Sequence, residues 1–241
     1  MYLLAILSYH ISGISNVSAD LKEQLISVQG TAAPSSIVAA IQDTGRDAIL
    51  RGSGKSDWAA VCILETHNKS VPDPVRGLIR MVQVGPETTV VDLTIKGLSP
   101  GIYNVTVREN GDINYGAEST GSIWGYLKAN AEQSASSAKG LWGTVDVSEA
   151  GTGSVFTSKP IQVLELYGKS IAVSKDRDDK SSENSARLEG KDLKGTQNDP
   201  DTLVGVIARS AGVWDNDKTV CSCSGKTVWE ERKEQVGKGM I

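Results

Sequence analysis

The sequence predicts a mainly β protein: an antiparallel sandwich or barrel of short strands, with a small mixed α/β unit ahead of it and a polar tail behind. Three observations carry this. Short apolar or alternating runs recur at intervals of about 8–15 residues, as in sandwiches and barrels. The chain holds 25 glycines in 241 residues, a ready supply of turns. Hydrophobic residues make up 39%, enough to build a sizeable core.

The elements follow in order. Ile14–Gln29 carries Val17, Leu21, Leu25, Ile26 and Val28 and reads as two short strands with a turn. Ala33-Pro34-Ser35-Ser36 reads as a helix start, because proline suits the first helical position. Ile37, Val38 and Ile41 keep helical spacing and Gly45 ends it. Asp47–Arg51 is expected as a last strand, and Gly52–Asp57 is a linker by composition. Strands are then expected at 75–84, 88–95 and 102–107, the last after a Ser99-Pro100-Gly101 turn, and around 142–147, 154–157 and 170–174. Lys175–Asp201 differs: 14 of its 27 residues are charged and only Ala186, Leu188 and Leu193 are apolar, so a solvated mobile loop is expected. Thr202–Ala208 reads as a final strand. The tail from Trp214 is polar, with a short helix at 228–234 that is marginal alone.

Composition excludes several functions. Net charge is −4, so no basic field exists to neutralise many phosphates, and nucleic-acid binding is not expected. No apolar run approaches the roughly 18 residues of a membrane span. The two histidines, His10 and His67, lie far apart, which excludes an enzyme built on clustered imidazoles. His67 reads as a solvated loop residue. Gly52–Ser56 lacks the full phosphate-loop spacing and stays a linker. Of three cysteines, Cys62 lies in the apolar run Ala59–Leu64 and reads as a buried thiol. An odd count does not suit a secreted disulfide framework. The start, Met1–Leu7, has no basic region and no evident cleavage site, so it is not read as a signal peptide, and a reducing cytosolic home is the default.

Cys221-Ser222-Cys223 is the constellation with chemistry in it. Thiolates are the soft ligands that select Cu(I). Sulfurs at i and i+2 on a pliable backbone can approach one ion, and the same spacing allows a strained, labile disulfide ring. Lys218 and Lys226 nearby favour the reactive thiolate. By itself the pair also fits two incidental surface thiols.

Context decides between those readings. Gly205–Gly212, read Gly-Val-Ile-Ala-Arg-Ser-Ala-Gly, followed by Cys221–Arg232 with its Trp-Glu-Glu-Arg, resembles the C-terminal part of copper chaperones for superoxide dismutase, fungal members above all. Gly97–Gly101, Glu109–Asp112 and Gly168–Ser174 resemble copper–zinc superoxide dismutase, a Greek-key β-barrel. Residues 14–54 look like the back part of the chaperones' first, heavy-metal-associated ferredoxin-like domain. The resemblance implies three parts: a remnant of that domain at 1–54, lacking its first strand and helix; a dismutase-like barrel at 58–210; and a Cys-x-Cys tail at 211–241. It departs from the families in two places. The dismutases' His-x-His-Glu-x-Gly-Asp strand reads here Thr106-Val107-Arg108-Glu109-Asn110-Gly111-Asp112, and a further copper-ligand position is Ser174. The chaperones' Met-x-Cys-x-x-Cys loop is absent. We read this as a truncated gene start, with a natural short form as the alternative.

The resemblance implies a copper chaperone, not an active dismutase. The barrel is expected to dock on copper–zinc superoxide dismutase as a heterodimer, with Gly205, Val206, Ile207 and Arg209 at the interface and a homodimer as an alternative state. Cys221 and Cys223 are expected to hold copper as Cu(I) and to exchange a disulfide with the target; zinc is not expected. The expected location is the cytoplasm, with the mitochondrial intermembrane space as a second compartment. The rival reading is a docking protein that delivers nothing, because the Met-x-Cys-x-x-Cys loop is missing.

Overall fold

A computed structural model describes residues 11–125, 138–175, 198–213, 220 and 224–237. Eight strands form one antiparallel sheet: β3 (Ala59–Glu65), β4 (Val75–Gly85), β5 (Thr88–Lys96), β6 (Gly101–Arg108), β7 (Leu141–Val147), β8 (Thr152–Lys159), β9 (Ser170–Lys175) and β10 (Leu203–Arg209). Their order is β7-β6-β9-β10-β3-β4-β5-β8, and every pairing is antiparallel. The chain thus leaves β5 for β6, and β8 for β9, by crossing rather than pairing, which is Greek-key connectivity. The end strands β7 and β8 lie close without pairing: a Cβ on Gly153 would stand 2.6 Å from the Asp146 carbonyl oxygen. The sheet is a nearly closed barrel.

Alternation builds its core. Cys62 and Leu64 from β3, Ile79 and Met81 from β4, Val91, Leu93 and Ile95 from β5, and Tyr103, Val105 and Val107 from β6 turn inward with Ile171, Val173, Leu203 and Ile207. The Tyr103 hydroxyl donates to the Ser99 carbonyl at 2.8 Å and pins the Ser99-Pro100-Gly101 turn to the strand that follows it. Every strand expected from the sequence between residues 75 and 208 is present.

Ahead of the barrel, β1 (Ile14–Asp20) and β2 (Leu25–Gly30) form an antiparallel hairpin. Its turn is held by Asp20 Oδ1, which accepts the backbone N–H groups of Lys22 and Glu23. Helix α1 (Pro34–Gln42) follows, with proline opening it as expected. Its own N-cap, Ala33, offers no side-chain oxygen, and its first turn has no acid. Asp92 of β5 supplies both: its carboxylate accepts the Ser35 N–H at 2.8 Å and the Ser35 hydroxyl at 2.6 Å. Ala33 and Ile41 bury against the rest of the protein. The expected strand at Asp47–Arg51 does not form. A strand needs a partner, and here the Asp47 side chain is taken up by Gln42, by the Ala48 N–H and by Arg232.

The linker is stitched down rather than free. The Ser53 N–H donates to Ala211 O at 3.2 Å, and the Val213 N–H to Gly54 O at 2.9 Å. Gly52 is needed there, because a Cβ would meet the Gly212 carbonyl oxygen at 2.1 Å. Helix α2 (Val228–Gly237) extends the helix expected at 228–234. The solvated loop expected at Lys175–Asp201 lies mostly outside the described residues. Its described end is anchored: Asn198 Oδ1 accepts the Ala117 N–H at 2.9 Å, and Asn198 Nδ2 donates to Tyr115 O at 2.9 Å.

Candidate functional site

Strand β10 carries four of the residues singled out in the sequence, and their surroundings differ. Ile207 points into the core and is 1% exposed. Gly205 is backbone packing: a Cβ there would stand 2.0 Å from Ile63 O and 2.7 Å from Cys62 Sγ. Val206 is half-buried and borders the Gly111–Gly168 contact, where a Cβ on Gly111 would meet Gly168 O at 2.3 Å and Val206 Cγ1 at 3.4 Å. Arg209 is exposed; its guanidinium lies 5.4 Å from the Tyr167 ring and 3.4 Å from Asp57 Oδ1. Tyr167 in turn places its hydroxyl 3.0 Å from Asp57 O and 3.1 Å from Ala59 O. Lys169 lies 5.0 Å from the Trp124 ring and 3.4 Å from Glu109. Val206 and Arg209 are thus the two of the four at the surface, whereas Gly205 and Ile207 are buried.

The second locus is where the resemblance puts dismutase copper ligands. Thr106 and Arg108 alternate outward from β6, opposite the core side chains Val105 and Val107. Residues 109–123 fold back over this outer face, through Glu109 N–H to Ser122 O at 2.9 Å and Asn110 N–H to Thr120 O at 3.0 Å. Beneath this cover Thr106 is 6% exposed and Arg108 is 4% exposed. The Arg108 Nε donates to Thr106 Oγ1 at 3.1 Å, and its Nη1 to Gly121 O at 3.4 Å. Thr106 Oγ1 donates onward to Ala172 O at 3.2 Å. Burial pushes the guanidinium pKa down. A hydrogen-bonded cation thus fills the space an imidazole ligand would need, and its charge repels a metal cation. The departure seen in the sequence is a packed replacement, a role that reading only for missing histidines does not find. His67, expected to be solvated, is half-buried: its Nε2 lies 3.1 Å from Glu65 Oε1.

The cysteines fall into two classes. Cys62 is fully buried, and burial pushes its thiol pKa far above the usual range, so it is inert as a nucleophile at neutral pH. Cys221 and Cys223 lie outside the described residues, as does Lys218. Their frame is described. An isolated bridge pairs Val220 with Thr227, on either side of the cysteine segment. Thr227 and Glu230 then form a capping box: the Glu230 carboxylate accepts the Thr227 N–H at 2.8 Å, and Thr227 Oγ1 accepts the Glu230 N–H at 3.2 Å. That backbone hydrogen bond draws the Glu230 pKa down. Lys226 pairs with Glu234, eight residues on, which raises the Lys226 pKa and keeps a firm positive charge three residues from Cys223. Among the described residues, no group of three or more His, Cys, Asp and Glu side chains could hold a metal ion. None of their helices is long and apolar enough to cross a membrane.

Residues 75–204, from β4 into β10, match the copper/zinc superoxide dismutase family. A superoxide dismutase 1 copper chaperone from Debaryomyces hansenii is 42% identical over 238 residues, covering 95% of this chain and 88% of that protein. The chain belongs to the family of copper chaperones for superoxide dismutase. A superoxide dismutase 1 copper chaperone from Saccharomyces cerevisiae is 38% identical, covering 93% of this chain and 86% of that protein. The copper chaperone for superoxide dismutase from Sus scrofa is 33% identical, covering 94% and 82%. The similarity to these chaperones runs well beyond the dismutase-like segment. On the outer face of this barrel Arg108 is buried and hydrogen-bonded to Thr106 and Gly121.

Proposed function

We propose that this protein delivers copper to copper–zinc superoxide dismutase. The observation that carries the reading is the match to superoxide dismutase 1 copper chaperones over nearly the whole chain, first module, barrel and tail together. The barrel serves as a docking body. Its surface around Val206 and Arg209 meets a dismutase monomer in a heterodimer, and the same surface can pair two copies of this chain.

Copper is cargo, carried as Cu(I) between the Cys221 and Cys223 thiolates, soft donors suited to that ion. The protein is no dismutase: with Thr106, Arg108 and Ser174 at the ligand positions, it lacks the imidazoles that copper cycling requires, and zinc has no set of ligands either. After copper leaves, dioxygen oxidises Cys221 and Cys223 to a disulfide, taking two electrons. A target thiolate attacks one sulfur and releases the other as thiolate; a second target thiolate then displaces the first cysteine. The target gains a disulfide and this chain returns to its dithiol. The cytoplasm is the site of action.

Two measurements on the purified chain test this reading. Titration with Cu(I) against a competing chelator gives one tightly held ion, lost in the Cys221→Ser, Cys223→Ser variant. Sedimentation with copper-free dismutase gives a 1:1 complex that the Val206→Asp variant does not form. Equal copper retention by the double serine variant would remove the tail from the mechanism.

A further inference from the structure

Arg232 of α2 reaches back across 185 residues to Asp47, just past α1. Its Nη2 stands 3.1 Å from Asp47 Oδ1 and its Nε 3.2 Å from Oδ2, a two-pronged pair of the strongest neutral-pH kind. The Arg232 side chain is only 14% exposed. Arg80 of β4 and Lys96 of β5 both feel its positive charge. Asp47 is the carboxylate paired with this largely covered guanidinium. The Asp47 end is itself fixed, since Gln42 at the end of α1 and the Ala48 N–H hold the same carboxylate, and Asp92 holds the start of α1 on β5.

The other end of the tail is also tied. Ser53 and Val213 stitch its root to the linker. The chain is therefore held on the linker at Ala211 and Val213 and on the first module at Arg232.

We infer that Asp47 and Arg232 form a latch that clasps helix α2 to the first module, and that opening this latch releases α2 while the stitch at Ala211 and Val213 stays fixed. The inference stands on this geometry and not on copper delivery. Without Asp47, Arg232 loses both hydrogen bonds that tie it to the first module. Without the clasp, α2 is a ten-residue helix with few apolar anchors: Trp229 and Val236 are both exposed, and a helix of that length is marginal in water. The Asp47 pKa is drawn down, first by the Arg232 hydrogen bond, so protonation does not open the latch near neutrality. Competing charge does: salt, or a carboxylate presented to Arg232 by a docked partner.

Hydrogen exchange over residues 224–237 of the full-length protein reads the latch directly. Asp47→Asn and Arg232→Gln each raise exchange of α2 amides at least about fivefold, as loss of an interaction of this class implies. The charge swap Asp47→Arg with Arg232→Asp returns it to within about twofold of the parent, and added salt raises exchange in the parent and the swap but not in the single variants. Because Arg232→Gln alters only the tail, barrel peptides report unchanged exchange in it. Unchanged α2 exchange in Arg232→Gln, or a swap that fails to restore protection, would overturn the latch.

Discussion

Val206 and Ile207 are neighbours on β10 that face opposite ways, and the side-chain alternation of a strand makes them so. Ile207 fills the core at 1% exposure, so Ile207→Ala should cost about 2–5 kcal/mol in chemical unfolding. Val206→Asp should leave the urea midpoint close to the parent's while abolishing sedimentation with dismutase. A destabilisation as large as that of Ile207→Ala would place Val206 in the interior instead. Gly205 is a third case, where the Ile63 carbonyl leaves no room for a methyl group. Gly205→Ala must shift backbone, at about 1–3 kcal/mol. Arg108 carries a negative prediction: with Arg108→His, one imidazole returns among Thr106, Ser174 and no zinc ligands, and a superoxide assay on copper-loaded protein should stay at background. Dismutation above background would mean the outer face of β6 is still a copper site.

At the scale of elements, helix caps decide which pieces hold. Helix α1 borrows its cap from β5, so Asp92→Ala removes an N-cap worth about 1 kcal/mol and also takes a carboxylate from beside half-buried Arg80. Exchange should then rise over 34–42 and leave β3 and β10 protected; rises everywhere would make Asp92 a core residue rather than a joint. Helix α2 carries its own capping box and the Asp47 clasp. Both rest on carboxylates whose pKa is drawn down, Glu230 by the Thr227 N–H and Asp47 by Arg232. Carboxylates depressed on folding stabilise above their usual range and lose that contribution as pH falls through the lowered value. Protection of α2 should therefore be flat from neutral pH to about pH 4 and fall below it. Loss already near pH 6 would point to a histidine, and this account gives none a part.

The legibility of each element follows from the range of its causes. The barrel strands were legible because alternation is local, as was α1, because Pro34 and the Ile37, Val38, Ile41 spacing lie within it. What escaped was set by distant partners. Asp47–Arg51 has strand composition, yet its first side chain is claimed by a residue 185 positions away. Asp92 sits in an alternating run and gives no sign that it caps a helix 57 residues earlier. The replaced ligands Thr106 and Ser174 could be seen, but the buried hydrogen bonds of Arg108 could not.

At the scale of the whole molecule, a metal-repelling barrel, a hairpin–helix module joined to it by Asp92, and a tail anchored at root and helix are the frame around two thiols. Delivery through those thiols is the central claim. Its most direct test is activation of copper-free, zinc-loaded, disulfide-reduced dismutase by the chain preloaded with Cu(I), with dioxygen present and a Cu(I) chelator competing. The account predicts dismutase activity that rises with added chaperone and vanishes in the Cys221→Ser, Cys223→Ser variant, whose barrel unfolds at the parent's urea midpoint. Equal activation by that variant, or none by the parent despite a 1:1 complex, would contradict it.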